Sequence, residues 1–105
     1  MTEYIVVFIT APGEDEAVKI AKELVDAGLA GCVNIIRDIR SIYRWQGKTE
    51  DENEVLMVAK TKKALFAGLE KKVKELHSYT VPEVIALPIA EGAADYLAWL
   101  GAETA

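Results

Sequence analysis

Residues 32–60, CVNIIRDIRSIYRWQGKTEDENEVLMVAK, carry apolar residues along two arms, on both sets of alternate positions. Period-two alternation marks strands, and Gln46-Gly47 supplies the turn of one long β-hairpin. Its arms are apolar on both faces, because Ile35, Ile39 and Tyr43 alternate with Ile36, Arg40 and Ile42. Arg37-Asp38 interrupts the first arm and marks a bulge or bend. Residues 3–10 are rich in β-branched and aromatic side chains and read as a strand buried on both faces. Ala11-Pro12-Gly13 ends it.

Two helical stretches flank the hairpin. Over residues 14–27, Ala17, Ile20, Ala21, Leu24 and Val25 share a face, Glu14, Asp15 and Glu16 occupy the first turn, and Gly28 stands at C′. A second helix is predicted over about 62–77, with Leu65, Leu69, Val73 and Leu76 as its stripe and Thr61 as its N-cap. A loop at 78–82 leads to a fourth strand, 84–89, and a short helix follows at 93–100 with Tyr96, Leu97, Trp99 and Leu100.

The order β-α-β-β-α-β plus a terminal helix predicts an α+β, ferredoxin-like sandwich, a single domain over 1–105. Right-handed crossovers put both main helices on one side of the sheet. The other side is then bare, yet Val6 and Phe8 alternate with Ile5, Val7 and Ile9, and Val55 and Met57 with Leu56 and Val58. Soluble monomers rarely expose so large an apolar patch. A closed homo-oligomer covers it; one short terminal helix covers only part.

Composition narrows the class. Of 105 residues, 51% are hydrophobic and 28% charged, and the net charge is −5. The acidic balance argues against nucleic acid, which needs a basic face. The run Ile5 to Ile9 is too short for a membrane span. Cys32 is the single cysteine, so no intrachain disulfide forms, and a reducing cytoplasm is the expected location.

The motifs so aligned resemble the CutA (CutA1) family, the divalent-cation-tolerance proteins. The residues that carry the likeness are Ala30-Gly31-Cys32-Val33-Asn34-Ile35, Ser41-Ile42-Tyr43-Arg44-Trp45-Gln46-Gly47-Lys48, Val58-Ala59-Lys60-Thr61 and His77-Ser78-Tyr79-Thr80-Val81-Pro82-Glu83-Val84-Ile85-Ala86-Leu87-Pro88-Ile89, with Gly92 and Tyr96-Leu97-Ala98-Trp99-Leu100. The resemblance implies a compact homotrimer similar in shape to the PII signalling proteins, with hairpins pairing across subunits and a link to divalent metals, chiefly copper. No established enzymatic activity comes with it.

Three candidate sites follow. His77 is the lone imidazole and the candidate metal ligand. Some copper-associated members of the family use a His pair and a first-strand Cys; here Leu76 and Ile9 stand at the other two positions, which leaves copper binding weak. The competing reading of His77 is a helix C-terminal residue whose charged form suits the dipole. A polar group of Lys60, His77, Tyr79 and Glu83, with Arg44 and Trp45 near the hairpin end, forms a candidate pocket for a small anion or for acid–base work; an ion pair of Glu83 with Lys60, and Tyr79 as a loop anchor bonded to backbone, are the plainer alternatives. Glu50, Glu52 and Glu54 share one strand face, read as solvated and relieved by Arg40 or Arg44. Trp45, with Tyr43 and Ile42, is expected at the subunit interface.

No phosphate loop, GxGxxG, CxxC or HExxH motif occurs, so no catalytic residue and no obligatory cofactor is assigned. The expected role is divalent-cation tolerance as a homotrimer. A PII-like sensor whose inter-subunit cleft holds a small metabolite through Lys60, Tyr79 and Glu83, and a trimeric enzyme using those side chains with His77, are the alternatives.

Overall fold

The computed structural model describes residues 3–105. Its elements are β1 (Tyr4–Ala11), α1 (Glu14–Asp26), β2 (Cys32–Trp45), β3 (Lys48–Lys62), a 3-10 turn (Lys63–Leu65), α2 (Phe66–Leu76), β4 (Val84–Pro88) and α3 (Ala94–Ala102). The strands form one antiparallel sheet in the order β2-β3-β1-β4. This is the α+β sandwich that the element order predicts.

The alternation along β1 sets the two faces. Ile5, Val7, Ile9 and Ala11 are buried, and they point with Val55, Met57 and Ala59 of β3 toward Ala17, Ile20 and Leu24 of α1 and Leu69 and Val73 of α2. Both main helices thus cover one side of the sheet. Lys72 Nζ lies 3.5 Å from Glu23 Oε1, joining α2 to α1 at the surface.

The intervening positions form the second face. Across register, Val6 stands beside Lys60 and Leu87, and Phe8 beside Val58 and Ile85. Ile85 and Leu87 are each 57% exposed. Helix α3 lies at the Tyr4 end of this face: Leu100 is fully buried against Gly31, and Gly101 packs on the Tyr4 hydroxyl. It leaves the stretch from Phe8 to Ile85 open.

The predicted hairpin turn is present, with Gln46 at φ 51° and Gly47 at φ 80°. Left-handed values at both central residues match the right-handed twist of the arms. The predicted interruption is a bulge: the β2–β3 register shifts between Ile36 and Ile39, and Asp38 sits at φ 60°. Beyond Val55, the partner of Ala11 at the end of β1, both arms continue with no third strand beside them.

One expected cap is overturned. Thr61 does not start a helix; it pairs with Ile5 inside β3, fully buried, and its Oγ1 has no hydrogen-bond partner. The β1 ladder runs on to Tyr4 and Lys62, and Lys63 N–H donates to Glu3 O at 2.7 Å. Strand pairing therefore outcompetes a helical start until Lys63, and a 3-10 turn intervenes before α2.

Candidate functional site

The end of α2 places His77 against the end of β1. Its backbone N–H still bonds Val73 O at 2.8 Å, while its own ψ of 140° turns the chain out of the helix. The ring is buried. Nε2 lies 2.7 Å from Thr10 O, and Nδ1 receives the Tyr79 N–H at 3.0 Å. A carbonyl only accepts, so Nε2 carries the proton and Nδ1 is the acceptor. Glu16 Oε2, 3.3 Å from Nδ1, accepts the Ser78 N–H at 3.0 Å. His77 thus clips β1 to the loop through both ring nitrogens.

That geometry tests the copper expectation. Both ring nitrogens are committed to backbone, so a metal ion at His77 must displace one of those bonds. Ile9 is fully buried in the core. Cys32 pairs with Lys60 at the opposite end of β3. Among the described residues, no three His, Cys, Asp or Glu side chains group as a metal cage. The residues present do not fit the expected ligand set.

Beyond the bulge, Ile39, Ser41 and Tyr43 of β2 face the same way as Glu54, Glu52 and Glu50 of β3. The next loop closes over them, forming a cleft of about 740 Å³ lined by Glu50, Glu52, Glu54, Glu83, Tyr43, Tyr79 and Trp45, among others. The Tyr79 hydroxyl donates to Glu54 Oε2 at 2.7 Å, and the Tyr43 hydroxyl to Glu52 Oε1 at 3.1 Å. Glu54 is 5% exposed, a nearly buried carboxylate held by a phenol. Burial and then the Glu54 carboxylate raise the Tyr79 hydroxyl far above its ordinary value. Burial also raises Tyr43, followed by Glu52, with Glu54 and Glu50 adding to it.

The expected pocket is therefore split. Tyr79 and Glu83 do share the cleft, but Lys60 does not reach it. Lys60 stands six residues from Glu54 along β3, about 20 Å away. There it bonds Asn34 Oδ1 and lies 4.0 Å from Cys32 Sγ. Strand rise decides this, and an ion pair of Lys60 with Glu83 falls with it. Arg44 donates to Gly47 O at 3.1 Å at the hairpin tip and does not line the cleft.

The glutamates are not relieved by arginines. Arg40 and Arg44 point to the other hairpin face, where Arg40 grips Asp51 through Nε–Oδ1 at 2.9 Å and Nη2–Oδ2 at 2.7 Å. The two tyrosines take that role. Glu54 was legible in the period-two acids, but its phenol partner lies 25 residues away in the chain. Of the expected interface residues, Ile42 is 65% and Trp45 43% exposed, whereas Tyr43 is half-buried.

Fold and cleft together define a class: small ferredoxin-like proteins with an uncovered apolar sheet face and a long projecting hairpin. The description "CutA1 divalent ion tolerance protein" matches residues 5–103. A Thermus thermophilus relative, "Divalent-cation tolerance protein CutA", is 52% identical over 94% of this chain and 96% of its own length. The solved structure of a Thermus thermophilus divalent cation tolerance protein superposes with a TM-score of 0.95 at 51% identity, covering 97% of this chain and 99% of the other. CutA1 from Oryza sativa superposes at 0.96 with 41% identity, covering 99% and 95%. The chain belongs to the CutA1 divalent ion tolerance family. It spans about half the length of the mouse relative, "Protein CutA", 52% of that protein at 47% identity over 89% of this chain.

Proposed function

We propose that this chain serves divalent-cation tolerance as a homotrimer, responding to an effector held in the cleft rather than storing copper at His77. The family supports the tolerance role. The observation that carries the choice of site is the cleft itself: four glutamates line it and no lysine or arginine does. His77 has no ring nitrogen to spare. Trimer formation is supported by the open face around Phe8, Ile85 and Leu87 and by the exposed Ile42 and Trp45.

The role proposed is not catalytic. Each cleft tyrosine already donates its proton to a carboxylate, and both ring nitrogens of His77 are bonded to backbone. A sensor of the PII kind is the second reading, favoured by a volume within the usual range for small-molecule sites, roughly 300–1,000 Å³. No helix among the described residues is long and apolar enough to cross a membrane. Cytoplasmic residence is proposed on the lone Cys32.

The test is growth under copper challenge of cells lacking their own relative and supplied with this chain. Tolerance should survive His77→Asn, provided the variant folds, and fall in Glu50→Gln/Glu52→Gln. The reverse pattern, with copper binding lost in His77→Asn, overturns the proposal.

A further inference from the structure

We propose that His77 is a pH-sensitive latch on the 77–83 loop: a proton gained at Nδ1 trades the Tyr79 N–H for the Glu16 carboxylate, and the loop loosens its hold on the hairpin. The latch works whether or not the cleft holds an effector.

The loop hangs on few bonds. Among the described residues, no backbone–backbone hydrogen bond holds 78–83. Ser78, Thr80, Val81 and Glu83 are exposed. The loop instead donates the Ser78 N–H to Glu16 Oε2 at 3.0 Å, the Tyr79 N–H to His77 Nδ1 at 3.0 Å and the Tyr79 hydroxyl to Glu54 Oε2 at 2.7 Å. Segments with little burial and few bonds open at low cost.

Nδ1 stands between two competing partners. The Tyr79 nitrogen lies 3.0 Å away and Glu16 Oε2 3.3 Å. A bare Nδ1 accepts the N–H. A protonated Nδ1 can only donate, and the carboxylate is the acceptor within reach. Imidazole makes that change on mild acidification. The proton comes from solvent; the bond from the Tyr79 N–H to Nδ1 breaks, and one from Nδ1–H to Oε2 forms.

The surroundings satisfy the ring in both states. Nε2 keeps its proton and its acceptor, Thr10 O of β1, at 2.7 Å. Glu16 of α1 faces the new charge, as a buried imidazolium requires. Its Oε2 can retain the Ser78 N–H, because a carboxylate oxygen accepts more than one bond. From the loop, the Tyr79 phenol packs on the ring with centroids 4.8 Å apart, and Glu54 of β3 stands behind that phenol. On the helix that His77 ends, Lys74 is paired with Glu70 at 3.2 Å. The group left without a partner is the Tyr79 N–H, so the penalty of the added proton falls on the loop and not on the ring. Tyr79 also carries the hydroxyl bonded to Glu54, so the change reaches the hairpin.

The experiment is nuclear magnetic resonance of the isotopically labelled full chain, titrated between about pH 8 and pH 5. The His77 ring, the Tyr79 amide and the Tyr79 ring should move together with one midpoint. Protection of the Tyr79 amide from hydrogen exchange should fall about tenfold across it, after correction for the pH dependence of free amides. Glu16→Gln removes the charge that receives the protonated ring and should move the midpoint to lower pH. His77→Asn, which does not titrate, should abolish the movement with its circular dichroism retained; if that variant does not fold, the parent and Glu16→Gln decide. The latch is overturned if His77 does not titrate in this range, or if the Tyr79 amide or ring keeps its position while His77 titrates. A midpoint indifferent to Glu16→Gln, or movement that survives in His77→Asn, overturns it equally.

Discussion

Tyr79 reaches out of the loop that follows α2 and places its hydroxyl 2.7 Å from Oε2 of Glu54, far along the hairpin. Glu54 is nearly buried, and the bond joins the helical layer to the projecting arm. Tyr79→Phe should therefore cost about 2 kcal/mol, because it leaves a buried carboxylate without its donor. Glu54→Gln should cost less, since the amide still accepts. Urea denaturation of both variants and the double variant gives the coupling. A cycle with additive losses would falsify the link.

The same bond sets an alkaline limit. The Tyr79 hydroxyl holds its proton well above the ordinary value near 10.0 because of burial and the Glu54 carboxylate. The folded state then binds that proton more tightly than the unfolded chain does. The contribution is fully present below about pH 10 and is lost as the pH rises through the folded value. Stability should fall with alkali above that point, and the fall should be shallower in Tyr79→Phe. Parallel curves for the two proteins would remove Tyr79 as the cause.

His77 is a clip, and its removal should read as one. His77→Ala leaves Thr10 O and the Tyr79 N–H without their partner, at about 2 kcal/mol. Copper titration should give the same affinity in this variant as in the parent. A loss of copper affinity with stability unchanged is the result that restores His77 as a ligand.

The strands, the bulge at Arg37-Asp38, the Gln46-Gly47 turn and the two-sided sheet were legible because each is a local pattern. The hairpin turn needs left-handed backbone, and the alternation on β1 and β3 writes both faces into adjacent residues. The site was legible only in pieces. Tyr79, Glu83 and the period-two glutamates were visible, but their meeting depends on where the loop crosses the sheet end. Lys60 does not join that group within one chain, because six residues of β3 separate it from Glu54. Thr61 read as a cap because its hydroxyl suits one; only the register with Ile5 shows that the strand continues.

Docking of α3 depends on the absence of a side chain at Gly31. A β-carbon there falls 2.5 Å from Leu100 Cδ1, and Leu100 is fully buried. Gly31→Ala should destabilise by about 1–3 kcal/mol through overpacking. Leu100→Ala in the same background should recover part of that loss by making room. Hydrogen exchange of the α3 amides reports the loosening, and unchanged protection in Gly31→Ala would show that Leu100 shifts freely.

The last prediction concerns the face that α3 does not reach. Ile85 and Leu87 point the same way as Phe8 and Val6, and both are more than half exposed in the single chain. Burying such side chains is worth about 1.5–3 kcal/mol each, and a neighbouring copy offers an equally apolar surface. Light scattering on the parent protein should give three times the chain mass of 11.5 kDa. Leu87→Lys places a charge inside that contact, where it has no partner, and burial without pairing is strongly unfavourable. The variant should shift to 11.5 kDa on dilution with its circular dichroism retained. A parent protein that scatters as a single chain rules out assembly through this face, and a Leu87→Lys protein that stays trimeric moves the contact elsewhere.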